Sequence, residues 1–340
     1  MNLIINKYLL IIGFTCSLCF SQWFDLNHNG VNRTYYVSYP SSTEDASGLI
    51  INMHGFGGNA LGQLSGTQMN NYAHPENMAV VYPQGIIEVG NPFNAPSWNI
   101  GTFWDFNTQD DVGFISALID DVASNFDIDL NKVYACGFSN GGYMAYELAC
   151  ELSDKITAFG SVAGNFMLNT DQSCSNDREI PIIHFHGTSD ATVDYSPPSF
   201  DQALTVSESI DYWSNLNGLD IDTYESINSN VEIYTYYKNS SSTKFVHYKV
   251  NGGQHEWFGY NWGFNASEEL VNFFLQYDLS DFINNALIGD INEDSSINIQ
   301  DVILLINFIL DSEYSELADI NSDGGVDVLD VVQLVNIILM

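Results

Sequence analysis

Gly137-Phe138-Ser139-Asn140-Gly141 sets a serine between glycines at the spacing of a tight turn that lifts a hydroxyl clear of the chain. An apolar run at 133–136 precedes it and a helical stretch at 143–150 follows, the strand–turn–helix context of a nucleophile elbow. Serine is a weak nucleophile at its own pKa. It needs a neutral imidazole to take its proton and a carboxylate to orient that imidazole. Asp190 is the expected acid, because His186-Gly187-Thr188-Ser189-Asp190 follows the apolar run 182–185; Asp194 is the alternative. Two histidines lie beyond it. His247 alternates with apolar neighbours inside a strand and reads as structural, whereas His255 sits in the loop Asn251-Gly252-Gly253-Gln254-His255-Glu256-Trp257 and is the expected base. His184 and His186 precede the acid and are expected to pack or to brace its loop. A tetrahedral intermediate also needs N–H donors where its oxyanion forms. The amide of Asn140 follows the nucleophile directly, and Phe56, in the loop Met53-His54-Gly55-Phe56-Gly57-Gly58, offers the second.

A different chemistry occupies the C-terminal end. Oxygen donors recur at loop positions 1, 3, 5, 9 and 12, with a backbone carbonyl at 7, a pattern suited to Ca²⁺ with its six to eight oxygen ligands. In the first loop these are Asp290, Asn292, Asp294, the Ser296 carbonyl, Asn298 and Asp301. In the second they are Asp319, Asn321, Asp323, the Gly325 carbonyl, Asp327 and Asp330, so two calcium ions are expected. Each loop is followed by an apolar helical stretch, at 302–310 and 331–339, making a loop-plus-helix unit used twice. Ser295 stands where glycine is preferred at position 6, so the first site is expected to be the more strained.

These residues need a scaffold, and the 340-residue chain has the composition for one. It is 45% hydrophobic, with 21 Phe, 19 Tyr and 6 Trp, enough to bury a large core. Its 43 acidic against 8 basic side chains repel phosphate backbones and anionic lipid, so nucleic acid is excluded as a partner class. Apolar runs at 34–37, 49–53, 79–82, 133–136, 182–185 and 245–248 alternate with helical stretches, as a mostly parallel α/β sheet requires. Phe114, Leu118, Val122 and Phe126 recur every four residues and predict a helix over 112–126. Trp98, Trp104, Trp257 and Trp262 fall near predicted loops, compatible with stacking on sugar or phenolic rings, although most such aromatics belong to cores.

The only long apolar run, after Lys7 and ending near Ser21, reads as an export signal over residues 1–21, with a membrane anchor as the alternative. The domain reading is then an α/β domain at 22–280, a linker at 281–288 and the calcium module at 289–340, which holds eleven acidic residues and no Lys or Arg. The mature chain keeps Cys136, Cys150 and Cys174. In an oxidising compartment two of three pair. Cys136 sits in an apolar strand and suits a small buried role, which points to Cys150–Cys174, with three free thiols as the alternative.

Six motifs, in order, carry a resemblance over residues 32–277. They are Met53-His54-Gly55-Phe56-Gly57-Gly58-Asn59, Val81-Tyr82-Pro83-Gln84-Gly85, Asp110-Asp111-Val112-Gly113-Phe114-Ile115, Gly137-Phe138-Ser139-Asn140-Gly141-Gly142, His184-Phe185-His186-Gly187-Thr188-Ser189-Asp190 and Gly253-Gln254-His255-Glu256-Trp257. Together they resemble the secreted polyhydroxybutyrate depolymerase-like and feruloyl or acetyl-xylan esterase group of the α/β-hydrolases. The resemblance implies an α/β-hydrolase fold, no catalytic cofactor, the Cys150–Cys174 pairing, and a serine esterase acting on feruloyl or acetyl esters of plant or algal polysaccharides. Polyester hydrolysis is the alternative within the group, and a non-catalytic adhesion or scaffold-associated protein is the alternative outside it, opposed by the intact Ser139, Asp190 and His255. Gln84, where the group usually has Asp, and the Leu219 region, where a further Cys often follows Asn-Gly, depart from the pattern. The C-terminal repeat, with Asp rather than Glu at position 12 and one helix per loop, resembles a type I dockerin, a small all-α calcium-binding domain, and implies a cohesin-like partner.

Overall fold

Hydrophobic runs too short for helices become strands wherever both faces can be covered, and that rule builds most of the N-terminal part of this chain. The structure, a computed structural model, describes residues 21–41, 45–100, 108–167, 174, 178–199, 203–282, 289–292, 296–311, 314–315, 317–321 and 323–339. The chain divides into two compact units, Met1–Leu279 and Ser280–Met340. The export-signal reading at 1–21 lies almost entirely outside the described residues, as do Trp104, Asp294 and most of the expected linker. No described helix is long and apolar enough to cross a membrane.

In chain order the first unit contains β1 (Ser21–His28), β2 (Val31–Ser38), β3 (Ser47–Met53), α1 (Ala60–Thr67), α2 (Asn70–Ala73), β4 (Met78–Pro83), α3 (Asp111–Asn125), β5 (Ile128–Phe138), α4 (Asn140–Glu151), β6 (Ala158–Val162), β7 (Ile182–Gly187), α5 (Val206–Leu216), β8 (Ile221–Asn228), β9 (Val231–Tyr237), β10 (Lys244–Val250) and α6 (Ala266–Phe274). The strands form one ten-stranded sheet in the order β1-β2-β4-β3-β5-β6-β7-β10-β9-β8. Its centre, from β4 to β10, is parallel; β1, β2, β9 and β8 pair antiparallel at the two margins. This is the α/β-hydrolase architecture with a mostly parallel central sheet.

β3, β4, β6 and β7 are buried throughout, so apolar and small residues dominate them, and the larger polar exceptions, Asn52 in β3 and His184 and His186 in β7, are themselves buried. α3 starts where the Asp110 carboxylate accepts the Gly113 N–H at 2.8 Å, and it buries Phe114, Leu118 and Val122 completely. Each such side chain contributes about 1.5–3 kcal/mol of burial free energy. β2 is locked to the head of α3 by Arg33 and Asp111, 2.6 Å apart and both buried, with the guanidinium 3.9 Å from the Phe114 ring centre. α4 ends at a disulfide between Cys150 and Cys174, while Cys136 is a free thiol buried in β5.

In the second unit the described helices are α7 (Ile299–Asp311) and α8 (Val328–Leu339). They share a small core of Val302, Leu305, Ala318 and Leu334, with Ile291, Ile297, Ile320 and Val326 from the two loops packed against it.

Candidate active site

Ser139 sits between β5 and α4 with φ of +53° and ψ of −118°, a left-handed conformation that side chains rarely adopt. The glycines around it are required by space. A Cβ on Gly137 would lie 2.2 Å from the Gly141 carbonyl oxygen, and one on Gly141 would lie 2.4 Å from that of Met53. The turn is therefore pressed against the chain leaving β3, and the Ser139 N–H donates to Val162 of β6 at 2.8 Å. Strand, strained serine and helix together have the geometry of a nucleophile elbow.

Asp190 follows β7. Its Oδ1 accepts the Thr192 and Val193 amides at 2.8 and 2.9 Å, and its Oδ2 lies 2.7 Å from His255 Nδ1. Burial pushes this carboxyl up, but His255 and the two amides outweigh it and hold the group below the usual carboxylate range. The loops carrying the two residues touch: Ser189 N–H donates to Gly253, Thr188 N–H to Val250, and a Cβ on Gly187 would meet the Gly253 carbonyl oxygen at 2.2 Å. Asp194, the alternative acid, bonds to Ser199. With Nδ1 on a carboxylate, the assigned tautomer leaves His255 Nε2 as an acceptor, and the imidazole ring lies 4.8 Å from the ring of Phe138, next to Ser139. Among the described hydrogen bonds none joins Ser139 Oγ to His255, as is common before substrate tightens a site.

Two backbone segments border the serine hydroxyl. Asn140 is the first residue of α4, where amides have no acceptor within the helix and the dipole favours negative charge. The loop after β3 reaches the elbow at Gly55, where a Cβ would lie 3.2 Å from Ser139 Cβ. Its shape is fixed by Gly57, with φ of +73° and its N–H on the Pro96 carbonyl, and by the Gly58 N–H on the Gly55 carbonyl. Phe56 lies in this turn, half-buried, its ring edge-on to that of the exposed Phe93.

Residues 37–207, half of the chain, match the family model described as phospholipase/carboxylesterase. The chain belongs to the phospholipase/carboxylesterase family. Residues 288–339 match the dockerin type I domain. Among curated relatives, the bifunctional acetylxylan esterase/xylanase of Neocallimastix patriciarum is 30% identical over 166 residues, 49% of this chain and 22% of that protein. Feruloyl esterase B of Piromyces equi is 28% identical over 238 residues, 66% of this chain and 42% of that protein. The chain therefore spans less than half the length of either. The acetyl xylan esterase from Aspergillus awamori superposes with a TM-score of 0.58 at 14% identity, covering 75% of this chain and 99% of that one, a likeness of fold.

Several residues of this phospholipase/carboxylesterase-family chain act through others. His54 is buried: its Nε2 accepts the Gly85 N–H at 2.9 Å, so Nδ1 carries the proton and donates to the Gly55 carbonyl at 2.8 Å. Burial pushes its pKa down to about 4, so it is a neutral pin at neutral pH. Gln84, where the related pattern has Asp, donates to the Gly85 carbonyl and accepts the Ala60 N–H at the head of α1. An amide there adds no charge beside the neutral imidazole. His184 and His186 form a buried array behind the acid. Tyr146 O–H donates to His184, His184 to His186, and His186 Nε2 to the Val193 carbonyl, 3.6 Å from Asp190. His247 is buried in β10 against the Tyr195 hydroxyl. Trp98 is fully buried and unavailable to a sugar ring; Trp257 bonds Ser267 through its indole N–H.

Most of the residues expected to hold calcium are described, in the two loops that precede α7 and α8. Asp301 and Asp330, both at position 12, are completely buried. Asp301 accepts the amides of Ile291, Asn292 and Asn298; Asp330 accepts those of Asn321 and Asp327. At position 1, Asp290 and Asp319 are also buried, and Asp319 accepts the amides of Asp323 and Gly324, the latter with φ of +86°. As placed, no three acidic, His or Cys side chains among the described residues are gathered into a group that could hold an ion. The donor set nevertheless fits a hard cation, because four buried carboxylates sit in a segment without one Lys or Arg to neutralise them.

Proposed function

We propose that this protein is an exported serine carboxylesterase that removes feruloyl or acetyl groups from plant or algal polysaccharides through an acyl-enzyme. The observation that carries the reading is the Asp190–His255 contact of 2.7 Å, with the His255 ring 4.8 Å from that of Phe138, the neighbour of the strained Ser139, in a chain whose relatives are named as feruloyl and acetylxylan esterases. Ser139 Oγ attacks the ester carbonyl as His255 Nε2 takes its proton, and Asp190 stabilises the imidazolium that results. The amides of Asn140 and Phe56 receive the oxyanion. Collapse expels the sugar alcohol, protonated by His255; water then enters by the reverse path and frees the acid. A panel of methyl ferulate, acetylated xylan and a short-chain polyester film tests the substrate class. Release of ferulate or acetate at least tenfold above release from the film is expected, and preference for the film would overturn it.

Residues 289–340 act, in this reading, as a dockerin that holds two calcium ions. Asp290, Asn292, Asp294, Ser296, Asn298 and Asp301 would hold one, and Asp319, Asn321, Asp323, Gly325, Asp327 and Asp330 the other. Ca²⁺ neutralises carboxylates that otherwise repel one another, so its binding free energy becomes folding free energy. Ile299, Ile303, Ile306 and Leu310 form an exposed apolar stripe on α7, and Val328, Val332 and Leu339 repeat it on α8. Such stripes suit a cohesin-like partner. Chelation of the full-length protein should remove the helical signal of this segment and partner binding while ester turnover stays within about twofold. Circular dichroism beside an esterase assay checks this; helicity unchanged in chelator would contradict it.

A further inference from the structure

We infer that Trp98 is a positioning residue that sets the separation between the two oxyanion donors, one half of the hole being tied to its indole and the other to its backbone. The inference rests on the serine esterase reading above. Trp98 Nε1 donates to the His54 carbonyl at 2.8 Å, at the base of the turn that carries Phe56. Its own backbone N–H donates to Asn140 Oδ1 at 2.8 Å, and Asn140 Nδ2 returns a bond to its carbonyl at 3.2 Å. One fully buried residue thus bridges the loop after β3 and the head of α4, the two segments that must aim their amides at the same oxygen.

The bridge is itself anchored. Asn99, the next residue, has its N–H on Asp111 Oδ2 at 2.7 Å and its side-chain amide on the Gln109 carbonyl at 2.9 Å, and Asp111 is the buried partner of Arg33. On the other side, the Ser97 N–H donates to the Ile86 carbonyl. The Asp110-Asp111 motif, which has no place in the reaction itself, therefore acquires a role: it fixes the head of α3 to β2 and fixes the Trp98 segment to both. The indole ring, 5.1 Å from the His54 imidazole, adds packing to the same loop. Preorganised donors stabilise developing charge only while their geometry holds, and a displacement of about 1 Å costs on the order of 10²-fold in rate.

Trp98→Phe in the full-length protein keeps an aromatic ring and deletes the indole N–H. With a nitrophenyl acetate substrate, kcat should fall about 10- to 100-fold with KM changed by less than about threefold. The Ki of a small boronic acid, which forms a tetrahedral anionic adduct with serine, should rise by a similar factor. A residue that only packs would leave kcat and the boronate Ki unchanged, or lower kcat without touching the boronate, and either result overturns the inference. Should circular dichroism show Trp98→Phe unfolded, Asn140→Ala deletes both side-chain bonds to Trp98 while leaving the Asn140 N–H in place. A parallel loss in kcat and boronate affinity is expected there, and wild-type values overturn the inference. Wild-type turnover, measured alongside, separates the two levels: its absence removes the esterase reading, whereas normal wild-type turnover with an indifferent Trp98→Phe removes this inference alone.

Discussion

Replacing Ser139 with Ala should lower kcat/KM for ester hydrolysis by roughly 10⁴-fold or more while the protein stays folded. The covalent route disappears with the hydroxyl, and what survives is the binding and oxyanion stabilisation that remain in other serine hydrolases without their nucleophile. Stability should hold because the side chain is only half-buried and none of the described hydrogen bonds uses its Oγ. Alanine at φ of +53° inherits the backbone strain the serine already bears, so the turn is not asked to adopt anything new. Initial rates on a nitrophenyl ester, with the melting temperature measured beside them, check both halves. Turnover within tenfold of wild type would move the nucleophile elsewhere.

Asp190→Asn should cost about 10⁴-fold in kcat, and Asp194→Asn less than about threefold. Asp190 Oδ2 meets His255 Nδ1 at 2.7 Å, and an amide nitrogen at that place would donate to Nδ1, moving the imidazole proton to Nε2 where it blocks proton uptake from serine. Asp194 bonds the Ser199 hydroxyl, and none of the described hydrogen bonds or ion pairs joins it to His255, so its loss is a local matter. Steady-state kinetics of the two variants on one substrate checks this. Reversed magnitudes would make Asp194 the orienting acid.

The parts of the molecule legible in the sequence are those whose signal is local. Strands β2, β3, β4, β5, β7 and β10 contain the predicted runs: in β3, β4, β7 and the run 133–136 of β5 burial on both faces leaves a largely apolar string that needs no context, while β2 and β10 mix buried and half-buried residues. The helix expected at 112–126 is α3, displaced by one residue at each end: Asp110 caps its start, and Phe126 already has extended backbone at its end. β1, β6, β8 and β9 were not among the predicted runs. β6 is five residues broken by Gly160 and Ser161; β8 is exposed along almost its whole length, so its polar sequence carries no burial pattern at all. The elbow glycines are legible as a motif, yet their reason, contact with Gly141 and Met53 backbone at under 2.5 Å from a virtual Cβ, exists only in three dimensions. Trp98 shows the limit. Its sequence neighbourhood suggests a loop aromatic open to ligand, whereas it is fully buried and bonded to Asn140 and His54, 42 and 44 residues away along the chain. His54 lies within a glycine-rich loop of the sequence, but its role as a neutral pin depends on Gly85, which β4 delivers from 31 residues away.

Catalysis by this route requires one atom, Ser139 Oγ, to carry the acyl intermediate. Intact-mass analysis after exposure of the full-length protein to a fluorophosphonate, followed by peptide mapping, reads that atom. One adduct per chain on the Ser139 peptide, absent from Ser139→Ala and formed at least about 10³-fold more slowly in Asp190→Asn, is the expected result. Ester hydrolysis that continues while Ser139 stays unlabelled, or an adduct on another residue that abolishes turnover, would contradict it.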